Sequence, residues 1–339
     1  MGRRPVLVRG PVLARPSRKD SIIIDFRYHL VSIIAIFLAL AVGVVVGTTA
    51  LNGPVLEGLR RSNSGLIGDK RALESEVRDL QTDVGTADDL VRAKADALVG
   101  GELSGQRVLL VQAPGAETRV VEQVGDMVRD AGGAVTGRLR LEPALLEPES
   151  TQLVEDLLAT VVPAGVDLPE GSAARRAGAV LGAVLLQQPD GDAPDADAAA
   201  QVVPAFEEAE LVSLEDAEDL TPATLAVLVA DDAPDDQEER DEDALEALLD
   251  IAAELDARSA GAVVAGPAAS VEEGGLVHAL RGDGERDGQI STVDNADRAV
   301  GQVAVVLALR EQLQGGAGRY GARQGASGPV PTGEPADGG

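Results

Sequence analysis

The residues best spaced for chemistry lie towards the carboxyl end. Asp283-Gly-Glu285-Arg-Asp287-Gly288-Gln-Ile290-Ser-Thr-Val-Asp294 puts acidic side chains at loop positions 1, 3, 5 and 12, with glycine at 6 and isoleucine at 8. That is the pattern of a calcium-binding loop. Its twelfth residue is Asp rather than the longer, bidentate Glu, and Arg286 sets a cation inside the loop. The competing reading is a surface loop feeding a strand at Ile290–Val293. A second acidic stretch, Asp231–Asp243, has nine carboxylates in thirteen residues. Such runs hold divalent cations weakly and are ordinarily solvated loops.

Other chemistries lack their parts. The chain has two histidines. His29 stands beside Tyr28 at the edge of an apolar segment, and His278 sits in the apolar helical context LVHAL. One His outside the membrane gives no Ser–His–Asp hydrolase, and no G-x-S-x-G elbow occurs. The turn QAPGAE after the first apolar strand has neither G-x-G-x-x-G nor G-x-x-x-x-G-K-[ST], so its backbone lacks the glycines that approach a diphosphate. Cysteine is absent and Met127 is the only Met after Met1. Disulfides, thiolate sites and Cys ligands for Cu(I) are thereby excluded. The sequence assigns no residue to catalysis, cofactor binding or metal coordination.

The elements that would position a site begin with an apolar segment. Tyr28–Leu56 holds 29 residues without an acidic, Lys or Arg side chain. About 20 apolar residues at 1.5 Å rise span the roughly 30 Å hydrocarbon core. Residues 1–27 carry seven basic side chains against Asp20 and Asp25, so the net charge of −28 leaves −33 on the rest. A basic arm before the apolar segment keeps the amino terminus cytoplasmic and exports the remainder of the chain. A cleaved signal peptide is the rival; its apolar region would be unusually long and no clear A-x-A site comes after it. The acidic body repels phosphate backbones, which argues against a nucleic-acid partner.

The chain divides into five regions. They are a basic cytoplasmic arm at 1–27, a transmembrane anchor at 28–56, a coiled-coil stalk at 57–100, an extracytoplasmic domain at 105–315 and a disordered, Gly/Pro-rich tail at 316–339. The stalk rests on a heptad: Leu59, Leu66, Leu73, Leu80 and Ala87, with Val77, Val84, Val91 and Leu98 four places later. Apolar a and d positions at this spacing bury a seam between two helices and point to a homodimer. Asn63, Lys70 and three glycines interrupt it, and a single helix packed on its own domain is the alternative. Gly43 and Gly47 form a small-xxx-small pair that permits close helix approach, or else simply faces lipid.

Within 105–315, apolar strands are expected at 108–112, 134–141, 210–213, 225–230, 262–265 and 290–293. Helices are expected at 117–131, 150–162, 173–186, 201–208, 243–257 and 303–313. Alternation of buried strands with amphipathic helices gives a three-layer α/β domain around a mostly parallel sheet.

Three segments in this order resemble the actinobacterial copper-transport protein B family: RYHLVSIIAIFLALAVGVVVG at 27–47, AGGAV at 131–135, and ISTVD at 290–294. The third is succeeded by VAVVLALREQLQGG at 303–316 and Tyr320-Gly321. The resemblance implies a role in copper efflux or control of intracellular copper, in the envelope, and copper enters by that resemblance alone. Family members are also described as outer-membrane channel proteins, and some resemble partners of a septal cell-separation factor. Here the stretch around Tyr320-Gly321 lacks the histidines the family carries there, and the aromatic girdles of a barrel are missing: Phe206 and Tyr320 are the only aromatics after the anchor. Two functions of different class are compatible with these residues. One is a membrane-anchored component of copper transport; the other is a non-enzymatic scaffold that organises envelope or septal proteins without a copper site of its own.

Overall fold

Runs of Val, Leu and Ala without a polar face make the central strands. In a computed structural model the described residues are 21–188, 191, 194–217, 220–233, 242–284 and 286–332. Residues 1–20, most of the acidic run Asp231–Asp243 and Glu285 of the calcium-like loop lie outside them. The elements, in chain order, are α1 (Ser21–Arg92), α2 (Ala95–Val99), β1 (Arg107–Gln112), α3 (Thr118–Asp130), β2 (Ala134–Leu141), α4 (Pro143–Leu146), α5 (Thr151–Val161), α6 (Ala173–Leu185) and α7 (Ala196–Glu208). Then come β3 (Val212–Glu215), β4 (Leu225–Val229), α8 (Glu242–Ala257), β5 (Ala262–Ala265), α9 (Leu276–Gly282), β6 (Ser291–Val293), α10 (Ala299–Gln312) and β7 (Arg319–Tyr320).

The contacts divide the chain at Thr82/Asp83 into two units. In the first, α1 contains Phe26–Thr48, 23 residues of mean hydropathy 2.9. Among the described residues it is the one segment long and apolar enough to cross a membrane. Where the sequence suggests an anchor and then a stalk, one helix runs through both. Leu59, Leu66, Leu73, Val77 and Leu80 are all at least half exposed on it.

In the second unit the strands form one sheet in the order β3-β2-β1-β4-β5-β6-β7, parallel throughout except for β3. Every residue of β4, β5 and β6 is buried. Because successive side chains point to opposite faces, both faces of these strands are covered. α3 and α10 pack on each other and on the sheet; α8 lies on β4 and β5 with α6 against it. With so few aromatics, aliphatic side chains fill the core, and Phe206 is its one fully buried ring.

Two expectations change. The long helix does not reach residue 100, where the expected stalk would end: α1 ends at Arg92, and Ala95 and Val99 of α2 are buried in the domain core together with Leu103. The tail is not disordered from 316 onward. β7 pairs with β6, Tyr320 is buried, and its hydroxyl hydrogen-bonds Glu311 of α10. Glycine-rich composition signals disorder only where no apolar side chain finds a socket, and Tyr320 has one.

Burial also sets one titration. Asp256, near the end of α8, is pushed up to about 6 by burial, against which the hydrogen bond from the Ala262 backbone N–H (2.9 Å) works. A folded-state pKa above the unfolded value of 3.8 means stability that is fully present below pH 3.8 and lost as pH rises through about 6. Asp256→Asn keeps an acceptor for Ala262 and removes the charge. It should flatten the pH dependence across that window and raise neutral-pH stability by about 2–3 kcal/mol. Chemical denaturation of both proteins from pH 4 to 8 checks this; parallel pH profiles would refute it.

Candidate functional site

In an open parallel sheet, side chains that meet a ligand gather where the strands end, because the loops there are free of the ladder. β1 leads outward to β2 and β4 leads the other way to β5, so the strand order reverses between β1 and β4. Beyond these carboxyl ends lie two clefts that share Asp297. One, of about 160 Å³, is lined by Gly115, Glu117, Arg119, Asp231, Asp232 and Asp297, among others. The other, of about 490 Å³, is lined by Val84, Asp88, Asp294, Asn295, Asp297 and Arg298, among others.

The backbone fixes these walls. Gly115 has φ +84°, a conformation that calls for glycine, and a β-carbon there would lie close to the Asp231 side chain, 3.0 Å from its Oδ2. Gln112, at the end of β1, turns its amide into the next loop and donates to Ala116 O (2.7 Å) and Thr118 Oγ1 (3.2 Å). After β5, Gly266 N–H donates to Val293 O and Gly266 O accepts from Ala296 N–H, which fixes the start of the loop after β6. Gln302 of α10 is buried, donating to Ala296 O and to Gln123 of α3. The end of α1 closes the larger cleft. Asp88 accepts from the Ala299 N–H (3.1 Å) at the start of α10 and pairs with Arg298 (2.9 Å). A carboxylate at a helix amino terminus is favoured by the unpaired N–H groups there.

The electrostatics are acidic. Glu117 stands at the amino end of α3, where a nucleotide fold would seat a phosphate, and is paired with Arg119 (2.8 Å). That carboxylate repels the anion the helix end would otherwise attract. Asp297 has its carboxyl raised above the usual range by burial, against which the hydrogen bond from its own backbone N–H and the charges of Arg298 and Arg119 work, with Asp232 adding a small push upward. Its Oδ1 and the Oδ1 of Asn295 are buried without a hydrogen-bond donor in the protein.

Just before them, Asp294 is fully buried and fully engaged. Its carboxylate pairs with Arg281 of α9 (3.0 Å) and accepts from the backbone N–H groups of Ala322 (2.7 Å) and Arg323 (3.2 Å). Arg281 also donates to Thr292 Oγ1 and Tyr320 O. Gly321 has φ +131°, and a β-carbon there would run into the Asp294 carboxylate.

Among the described residues, the acidic side chains at calcium-loop spacing each turn to an arginine rather than to one another. Asp283 pairs with Arg286, Asp287 with Arg319, and Asp294 with Arg281. Three carboxylates of the calcium-like loop thus turn to three different arginines. His278 is exposed on α9 with Nδ1 3.0 Å from Val271 O, and Met127 is buried in the core on α3. Among the described residues no three His, Cys, Asp or Glu side chains form a group able to hold a metal ion. These are poor surroundings for copper as a soft cation. Neither Asn295 nor Asp297 stands out in the sequence. The available signal is polar residues directly between an apolar strand and a helix of an α/β fold.

The model of the family described as "Copper transport outer membrane protein, MctB" matches residues 23–331. The chain belongs to the MctB family. A protein of Mycobacterium tuberculosis called Copper transporter MctB is 30% identical over 312 residues, covering 89% of this chain and 98% of that protein. A protein of Mycobacterium leprae with the same name is 29% identical over 315 residues, covering 90% and 98%. Two of the family-like segments meet in space. Thr292 and Val293 of ISTVD pair with Arg319 and Tyr320, and Asp294 receives the loop after Tyr320-Gly321. In this MctB-family chain the described strands form an open sheet, with edges at β3 and β7, rather than a closed barrel.

The Asp294 clamp yields a test. Asp294→Ala leaves Arg281 buried without its carboxylate, which should cost about 3–5 kcal/mol. Gly321→Ala should destabilise in the same direction through its φ and the clash. Thermal unfolding should fall in both, and trypsin should cut sooner at Arg319 and Arg323. Unchanged melting with an equally protected tail would show that the clamp is not what holds β7.

Proposed function

We propose that this protein is a membrane-anchored component of copper transport in the cell envelope, with residues 105–315 outside the cytoplasmic membrane and the amino terminus inside. The family match over 23–331 carries the copper role. The seven basic residues before the apolar segment support the orientation. Its part in that process is non-enzymatic: it organises partners, septal proteins among them, instead of ligating copper itself. The soft-ligand shortage supports this mode, since Met127 is buried and no histidine lies near it in the sequence. A single spanning helix encloses no path, so passage of an ion requires several copies or another protein. In the producing bacterium, deletion of the gene should raise cell-associated copper under copper stress, and complementation by a Met127→Leu, His278→Ala variant should restore it as well as wild type does. Unchanged copper in the deletion strain would end the copper role. Failure of only the double variant, stably expressed, would end the claim that its own ligands are dispensable.

The helix from 57 onward is the surface through which copies assemble, as a parallel coiled-coil dimer. Leu59, Leu66, Leu73 and Leu80 repeat at seven-residue spacing and stand exposed. Tethering to a bilayer raises the local concentration of partner helices. Replacing Leu73 and Leu80 with Asp buries carboxylates in that seam, at a cost of several kcal/mol. A membrane-impermeant cross-linker added to intact cells should capture a wild-type dimer and not the double variant. A dimer seen only after permeabilisation would reverse the orientation. Equal capture of both proteins would place association elsewhere, Gly43 and Gly47 being the next surface to vary.

A further inference from the structure

The polar residues inside the heptad of α1 stand where a helix selects its partner. With Leu59, Leu66, Leu73 and Leu80 at d, the a row reads Asn63, Lys70 and Val77. Leu at d with Val at a suits two parallel strands. Gly65 and Gly68, which weaken the helix, fall at the outward c and f positions, and a β-carbon at either would meet nothing within 4 Å. They leave the seam whole. Asn63 and Lys70 lie on it, and both are exposed on the single chain. Ile67, at an e position and 44% exposed, widens the apolar strip beyond a and d, and a wider strip by itself invites a third helix.

We propose that Asn63 and Lys70 restrict the partner of this helix to one second copy of the same chain, parallel and in register. This assignment rests on the coiled-coil dimer of the proposed function. In register, Asn63 meets the partner's Asn63, and each amide can donate to and accept from the other. A slip of one heptad sets Asn63 against Lys70 and Lys70 against Val77. An antiparallel pair sets each polar a residue against an apolar d residue, where its polar group has no counterpart. Charge favours the same alignment. Asp69 at g faces the partner's Glu74 at e, and two carboxylates there repel. Lys70 lies between them, 3.5 Å from Glu74 on its own helix and, in the a layer, beside the partner's Asp69. Two ammonium and four carboxylate groups then share one layer. With two helices the lysine stems run along the seam and their heads reach water; a third helix would close that route.

The chain has no cysteine, so introduced thiols report pairing without background. Full-length Leu66→Cys and Leu73→Cys chains carrying different tags are co-expressed and oxidised in membranes. In-register helices bring like d positions within disulfide reach, so 66–66 and 73–73 bonds should exceed mixed 66–73 bonds about tenfold. Adding Asn63→Val and Lys70→Val should raise the mixed bonds to within about twofold of the like ones. Sedimentation equilibrium of the cysteine-free full chain in density-matched detergent should give two chains per particle, and three or more with Asn63→Val and Lys70→Val. Lys70→Glu, which puts six carboxylates in one layer, should cut the like-position bonds about fivefold or more. The proposal is overturned if the Val variant keeps two chains and like-position bonds alone, for the apolar residues would then set register and number. Equal bonding in Lys70→Glu would overturn the charged layer. A cysteine-free chain that sediments as a monomer, with no disulfide at either position, would instead overturn the dimer itself and this assignment with it.

Discussion

The buried carboxylate of Asp294 determines how the sheet ends. A charged group taken fully out of water is tolerable only where opposite charge and hydrogen bonds replace its hydration. Arg281 supplies the charge, and the Ala322 and Arg323 N–H groups supply hydrogen bonds. Those donors lie beyond β7, so solvating Asp294 requires the chain after α10 to return and pair with β6. The same requirement fixes Gly321, because no side chain fits between that backbone and the carboxylate. Two short segments nearly thirty residues apart in sequence are therefore parts of one device.

The fold is largely legible in the sequence because its core is made by pattern instead of by special residues. Val108–Gln112, Leu225–Val229 and Ala262–Ala265 are apolar almost without interruption, as strands covered on both faces must be, and helices such as α3 show one apolar stripe. The illegible parts depend on pairing at a distance. Nothing in Gly318-Arg319-Tyr320-Gly321 indicates a strand until Asp294 and Glu311 are seen to receive it. The calcium-like spacing of Asp283, Asp287 and Asp294 misleads for the same reason: the arginines that claim these carboxylates stand up to 32 residues away or inside the loop. Local spacing proposes a ligand set, and distant partners dispose of it.

The candidate site is the least legible part. Asn295 and Asp297 are common residues with no motif around them, and only the strand order tells that their loop lies at the ligand-bearing edge. The fold at that edge resembles those that bind dinucleotides, yet its chemistry is inverted. Gln112 fills the turn after β1, and Glu117 sets a negative charge at the amino end of α3. Fold alone would suggest a phosphate; the side chains oppose one.

The last turns of α1, from Asp83 onward, belong to the same unit as the sheet. Asp88 on the last turns of α1 caps α10 and pairs with Arg298, whose neighbour is Asp297. Moving the Asn295–Asp297 loop therefore means stretching either the Asp88–Arg298 pair or the Gly266–Ala296 hydrogen bond. The second is part of a covered strand end, and in the first the mostly buried Asp88 also accepts the Ala299 N–H, so both hold the loop in place.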